Sequence, residues 1–222
     1  MLYTAMRSVV APVARAIYRP RVEGRHHVPK HGAVILASNH LSFIDSVVIP
    51  IVAPRPVVFL AKVEYFTGSG LKGVATRTWF TAIGSIPVTR GDNRAAQASL
   101  DAALSLLAAG DAFGIYPEGT RSRDGRLYRG HTGVGWLALT AGVPVIPVAL
   151  IGTEKIQPVG SRMPRLHRIT VRFGAPLRFD PARMPTPAAR ARRAATDAVM
   201  DAIAELSGQD RAAGYNEAPT AD

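Results

Sequence analysis

The feature that most constrains this chain is a series of short, uninterrupted apolar runs, each followed at once by a polar turn. Ala33 to Ala37, Val57 to Ala61, Phe113 to Tyr116 and Val145 to Leu150 each read as a buried strand, because runs of this length bounded by turn residues suit strands. Helical segments separate them. Ser42 to Val52 is a helix that Ser42 can cap and that Pro54 and Pro56 end. A second helix holds Trp79 and Phe80 and stops at Gly84, and Asn93 caps a third, Arg94 to Ala109, that buries Leu100, Leu104 and Leu107. Val134 to Ala141 is a fourth, and Ala188 to Leu206 is the last, with Thr186 as N-cap and Pro187 at the first position. Strands alternating with helices predict an α/β domain, a central mostly parallel or mixed sheet flanked by helices. Val22 to Gly24 and Ile86 to Arg90 read as edge strands and Ile169 to Phe173 as the last strand. Pro87, Pro144 and Pro147 cannot donate to a ladder, which places them at strand starts or edges and argues against a wholly parallel buried sheet.

The two ends differ from this pattern. Over residues 2 to 18, Leu2, Tyr3, Met6, Val9, Val10, Val13 and Ile17 fall on one side of a helical wheel, with Thr4, Arg7, Ser8 and Arg15 opposite. Such a helix either packs its stripe on the main domain or lies in a membrane interface with its arginines near lipid phosphates. Pro12 kinks it. The organisation expected is therefore an amphipathic helix over 1–20, an α/β domain over 21–208, and a polar, disordered tail over 209–222. The uncharged stretch Thr132 to Thr153 is long enough to span a bilayer, yet Gly142, Pro144, Pro147 and Gly152 interrupt it, so it reads as a short helix, a turn and a strand. No cleavable signal pattern opens the chain.

Charge and cysteine content narrow the chemistry. A net charge of +11 calls for an anionic partner: nucleic acid, a phosphorylated or CoA-like molecule, or an anionic lipid surface. The absence of cysteine rules out a thiolate nucleophile and a Cys-ligated zinc, and it fits a reducing compartment.

Three strand ends carry polar clusters. His40 and Asp45 flank a strand-to-helix turn, where Asp45 in the first helical turn can fold back on the imidazole, fix its tautomer and make it a general base. Ser42-x-x-Asp45 also fits a capping box, which would leave Asp45 serving only the helix start. Arg90 ends a strand, and Glu118 with Arg121 follows another in Pro117-Glu118-Gly119-Thr120-Arg121-Ser122. Arg123, Arg126 and Arg129 extend a basic surface there, or form a solvated charge run. Lys62, at the end of the Val57 to Ala61 run, is either an anion contact or simply solvated. Such ends converge on one cleft in an open α/β sheet, which sets a general base beside an anion site. There is no G-x-S-x-G elbow, H-E-x-x-H pair, phosphate loop or dinucleotide turn, so a covalent serine or metal mechanism is disfavoured.

Asn39-His40-x4-Asp45, Gly84-x-Ile86-Pro87-Val88-x-Arg90, Tyr116-Pro117-Glu118-Gly119-Thr120-Arg121-Ser122 and Val143-Pro144-Val145-Ile146-Pro147-Val148 resemble the four ordered blocks of the glycerolipid acyltransferase family, of the 1-acylglycerol-3-phosphate type. The resemblance implies transfer of a fatty acyl group from acyl-CoA or acyl carrier protein to a lipid hydroxyl, with no covalent acyl-enzyme, no metal and no cofactor beyond the acyl donor. It implies His40 as general base and Asp45 as its orienter. It also implies a site for the acceptor's phosphate at Arg90, Glu118, Gly119, Thr120 and Arg121, joined by Lys62, and an acyl-donor side at Val143, Pro144, Ile146 and Pro147. The oxyanion stabiliser that the chemistry requires is expected among backbone N–H groups of the His40 turn. Tyr116 stands where Phe is common, and one amphipathic helix stands where many relatives have membrane spans. The expected partners are a lysophospholipid, the acyl donor and an anionic membrane, and the expected place is peripheral or monotopic, on the cytoplasmic face of the cell membrane. Other acceptors, such as glycerol 3-phosphate, another lysophospholipid or a glycolipid, fit the same blocks. A basic nucleic-acid-binding module would explain the charge, but no recognition motif supports it.

Overall fold

The computed structural model describes residues 12–82, 84–88, 93–158, 165–183 and 188–216. Its strands are β1 (Arg21–Glu23), β2 (Val34–Ser38), β3 (Val58–Lys62), β4 (Ser85–Val88), β5 (Ala112–Ile115), β6 (Val145–Ile151) and β7 (Thr170–Phe173). The helices are α1 (Asp45–Val52), α2 (Glu64–Thr67), α3 (Gly70–Ala82), α4 (Asn93–Ala108), α5 (Gly133–Ala141), α6 (Thr153–Ile156) and α7 (Ala188–Ser207). All strands join one sheet in the order β1-β7-β6-β2-β5-β3-β4. The five strands from β6 to β4 are mutually parallel, β7 runs antiparallel to β6, and β1 is parallel to β7. The sheet is thus mixed, and the C-terminal ends of β2, β3, β4 and β5 share one edge.

Successive strand side chains point to opposite faces, and both faces are covered. Val34 and Leu36 of β2 join Ile146, Val148 and Leu150 of β6 beneath Ile49 and Val52 of α1. Ile35 and Ala37 point the other way, into a layer built from Leu107 of α4, Leu137 of α5 and Val199, Met200 and Ile203 of α7. Burial on both faces explains why these strands read as continuous apolar runs rather than alternating ones.

Pro147 is not at an edge, contrary to the sequence expectation, since β6 pairs with β2 on one side and β7 on the other. The strand tolerates it because of where the missing N–H points. Gly174 N–H donates to Pro147 O, while Val145 exchanges both backbone hydrogen bonds with Leu177. The proline therefore sits where the register between β6 and the chain after β7 shifts by one residue, between the Pro147–Gly174 and Val145–Leu177 contacts, so its missing N–H falls at an irregularity of the ladder.

Two further expectations change, and an open alternative at the N-terminus narrows. The first helix begins at Asp45 without a side-chain cap, and Ser42 Oγ instead donates to Gln157 O at 2.8 Å. The tail is ordered over residues 209–216: Leu127 N–H donates to Asp210 O, Ala212 N–H to Leu127 O and Arg129 N–H to Gly214 O. Residues 12–18 are helical, but the face they turn to the domain is not the apolar stripe. Ala14 packs on the α1 layer and Arg15 donates to Ile51 O at 2.6 Å, while Val13 and Ile17 are each 54% exposed. Residues 1–11, Thr186 and Pro187 lie outside the described residues.

Candidate active site

The site starts where β2 stops. Asn39, fully buried, continues the ladder with its side chain: Leu150 N–H donates to Oδ1 at 2.8 Å and Nδ2 donates to Leu150 O at 2.9 Å. Nδ2 also reaches Gln209 Oε1 at 2.7 Å. An amide group can mimic a peptide in this way because it carries the same donor and acceptor pair, and it frees the backbone to turn.

In that turn His40 Nδ1 lies 2.9 Å from Asp45 Oδ2. The same oxygen accepts the Leu41 N–H at 2.7 Å and the Ser42 N–H at 2.8 Å. A carboxylate only accepts, so Nδ1 carries the hydrogen and Nε2 keeps its lone pair. Both readings of Asp45 are therefore met at once: it organises the turn before α1 and it orients the imidazole. Its Oδ1 is buried with no partner among the described residues. The Asp45 side chain is fully buried, whereas His40 keeps 15% exposure, so only the imidazole is reachable.

Glu118 comes from the turn after β5. It is fully buried, with Oε1 accepting the His40 N–H at 3.0 Å and Oε2 the Tyr128 N–H at 2.9 Å. Both oxygens are committed to backbone, and the side chain pins the His40 turn to the loop that follows β5. Burial pushes its carboxyl up to about 7, against the pull of those two hydrogen bonds, and the Asp45 and Asp124 charges add to the rise. Ser122 N–H donates to His40 O at 2.7 Å, a further tie between the same two turns.

Tyr116 stacks on His40, with ring centroids 3.9 Å apart and planes at 11°. Its other neighbour is Phe59, 5.3 Å away and also stacked. Its hydroxyl hydrogen-bonds Ser46 Oγ at 3.1 Å, and burial, then the Asp45 charge, holds the phenol well above its ordinary value. It stays neutral. Gly114 makes this stack possible, because a Cβ there would lie 2.2 Å from the Phe59 ring.

His40 opens on a cavity of about 690 Å³ between the sheet and α4, with Phe59, Leu100 and Phe113 among its apolar walls and Gly119, His131 and Tyr215 at its polar end. Gly119 has φ +77°, and a Cβ on it would approach His131 Cδ2 to 3.1 Å; glycine meets both demands. Burial, and then the Arg193 charge, lowers the His131 pKa. A second, almost wholly apolar space of about 360 Å³ lies beside residues 12–18, walled by Phe43, Ile44, Val47 and Val48 of the stretch after His40.

Of the residues singled out in sequence, His40, Asp45, Glu118 and Gly119 meet here. Thr120 and Arg121 are half-buried on the same turn. Lys62 ends β3 at the same edge, its side chain outside the described set, and Arg90 is outside it altogether. Arg126 pairs with Asp124 at 2.7 Å and lies over Tyr128, so it is taken up within its own loop. Ile146 and Pro147 are buried in β6, and Val143, Pro144, Ile146 and Pro147 are not among the walls of the two cavities above. One expectation is corrected. The His40, Leu41 and Ser42 N–H groups are spent on Glu118 and Asp45, so they are not the oxyanion donors. Asn39, Ser46, Tyr116, His131, Gln209 and Tyr215 escaped notice as site residues; only Asn39 and Tyr116, inside recognised blocks, had a signal to follow.

Residues 19–151 match the family model described as Acyltransferase. A chloroplastic 1-acyl-sn-glycerol-3-phosphate acyltransferase of Brassica napus is 32% identical over 146 residues, 65% of this chain and 40% of that protein. The enzyme of the same name from Limnanthes douglasii is 30% identical over 72% of this chain and 55% of its own, and the mouse alpha form is 34% identical over 62% and 47%. The chain thus spans about half the length of these curated relatives. The crystal structure of the 1-acyl-sn-glycerophosphate acyltransferase PlsC from Thermotoga maritima superposes with a TM-score of 0.66 at 24% identity, covering 91% of this chain and 82% of that one, a likeness of fold.

Proposed function

The chain belongs to the Acyltransferase family, and on that premise we propose that it moves a fatty acyl group from acyl-CoA or acyl carrier protein to the free hydroxyl of 1-acylglycerol 3-phosphate, giving phosphatidate. The observation that carries this reading is the His40–Asp45 contact of 2.9 Å at the mouth of a largely apolar cavity. Nε2 takes the proton of the acceptor hydroxyl as its oxygen attacks the thioester carbonyl, and Asp45 stabilises the imidazolium. The tetrahedral intermediate collapses with loss of the thiolate, which takes the proton back from His40, so no acyl-enzyme forms.

Arg121, Thr120 and Gly119, with Lys62 at the end of β3 and with Arg90, hold the acceptor's phosphate in this reading. Glu118 serves them indirectly, by fixing the turn that carries them. The acyl groups occupy the apolar spaces on the two sides of the catalytic turn rather than the fourth block. Attachment is peripheral, on the cytoplasmic face of the membrane, through the N-terminal helix. The exposed Val13 and Ile17 support that attachment, and no helix among the described residues is long and apolar enough to cross a membrane.

The test is thiol release from acyl-CoA in the presence of lysophosphatidate. The wild type is expected to turn over and His40→Ala to lose at least about a hundredfold in rate, as removal of a general base does. Undiminished turnover in His40→Ala sinks the mechanism. Competition among lysophosphatidate, glycerol 3-phosphate and other lysophospholipids decides the acceptor.

A further inference from the structure

The segment after α7 lies beyond the family match, yet it contributes a wall, Tyr215, to the His40 cavity. Its course is fixed at four points. Gln209 accepts from Asn39 Nδ2 at 2.7 Å and donates to Gly125 O at 2.7 Å, bridging the residue before the base to the loop after β5. Asp210 O and the Ala212 N–H clasp both backbone groups of Leu127 at 2.9 Å, and Leu127 is fully buried. Arg211 pairs with Asp201 of α7 at 2.7 Å. Asn216 Nδ2 donates to Thr120 O at 3.3 Å.

Between these anchors Tyr215 is held at the cavity mouth. Its ring stacks on His131 at 4.8 Å and 18°, and the Arg129 guanidinium lies 5.2 Å from its centroid. Tyr215, His131, Gly119 and His40 line the same cavity. A guanidinium steadied by an aromatic face keeps its charge and loses little freedom on meeting an anion. Arg129 does not itself wall the cavity; it stands behind Tyr215, which does, and Thr120 is tied to the neighbouring residue Asn216.

We infer that Tyr215 is a specificity-determining residue for the acceptor, one that walls the His40 cavity and, by holding Arg129, favours an acceptor bearing a phosphate monoester. This rests on the acyl transfer proposed above. An aromatic wall at this position acts on binding and leaves the dyad untouched, so its loss separates KM from kcat.

The experiment compares full-length wild type, Tyr215→Ala and Tyr215→Phe with lysophosphatidate and with a monoacylglycerol as acceptors, and titrates the acyl-CoA donor separately. Tyr215→Ala is expected to raise the KM for lysophosphatidate about five- to twentyfold, with kcat and the donor KM within about threefold. Its preference for lysophosphatidate over monoacylglycerol should fall by a similar factor. Tyr215→Phe, which keeps the stack, should restore most of the affinity. Because Tyr215 is partly exposed, an unchanged melting temperature checks that the fold is intact. An acceptor KM within twofold of wild type, or a rise confined to the donor KM, overturns the inference while wild-type turnover leaves the enzyme reading standing. Absence of wild-type turnover with every acceptor overturns that reading, and this inference with it.

Discussion

The imidazole of His40 and the phenol ring of Tyr116 lie face to face, 3.9 Å apart and 11° from parallel. The imidazole is thus held in two directions, by Asp45 in the plane of its ring and by Tyr116 across its face. The Tyr116 hydroxyl adds a contact to Ser46, the residue next to Asp45, so one side chain braces both members of the dyad.

Removing only that hydroxyl separates the two roles. Tyr116→Phe keeps the stack and is expected to cost about 1 kcal/mol of stability, the worth of one hydrogen bond, with kcat within about threefold. Tyr116→Ala removes the stack and leaves a hole beside Phe59, and it should lower stability by about 3–5 kcal/mol. Its kcat should fall tenfold or more. Urea denaturation and steady-state kinetics on the two variants read these out.

Asp45→Asn preserves shape but not charge. An amide offers either a donor or a weaker acceptor to Nδ1, so the imidazole loses its fixed tautomer and the imidazolium loses its counter-charge. The expected fall in kcat is about 10²- to 10⁴-fold, the range of general-base contributions, with the acceptor KM changed little. A kcat within threefold of wild type would show that Asp45 only shapes the turn.

Glu118 makes stability depend on pH. Its carboxyl titrates near 7 in the fold, raised chiefly by burial, and near its ordinary value when unfolded. The native state therefore binds more protons between these values, and the contribution is fully present below about 4.5 and lost as pH rises through about 7. The loss is on the order of 3 kcal/mol, flat above that range. Denaturation midpoints of wild type and Glu118→Gln across pH 4.5 to 8 should diverge in slope over this window, with the variant lacking the decline.

Asn39→Ala deletes the side chain that completes the ladder between β2 and β6. The Leu150 N–H and C=O are then buried without partners, and the bond to Gln209 is lost as well. A destabilisation of about 2–4 kcal/mol is expected, since leaving buried polar groups unmet costs more than the bonds were worth. The shift in urea midpoint measures it.

Much of this was legible in the chain, for reasons that can be named. Buried strands such as Val145–Ile151 announce themselves because both of their faces are apolar, whereas the turn from Asn39 to Asp45 is equally a capping box until the other strand-end clusters and the family blocks stand beside it. What stayed hidden depends on partners far away in sequence. Ser42 looks like a cap until Gln157 appears beside it. Pro147 looks like an edge residue until the register shift between Gly174 and Leu177 excuses its missing N–H. Glu118 looks like a ligand-facing acid until the His40 and Tyr128 amides are found on it, and Gly208 to Asn216 look unstructured because their order comes from Leu127, Thr120 and Asn39 rather than from any core of their own.

The His40 turn borrows Glu118 across 78 positions, Leu150 across 111, Gln157 across 115 and Gln209 across 170. A partly folded chain, or a nascent one still lacking its last helix, holds His40 and Asp45 five residues apart and yet lacks the restraints that aim them. Long-range closures of this kind form late. If the proposed acyl transfer holds, turnover during refolding should therefore recover after helix content and compaction do, which would make that turnover a clock for the final step of the chain's own assembly.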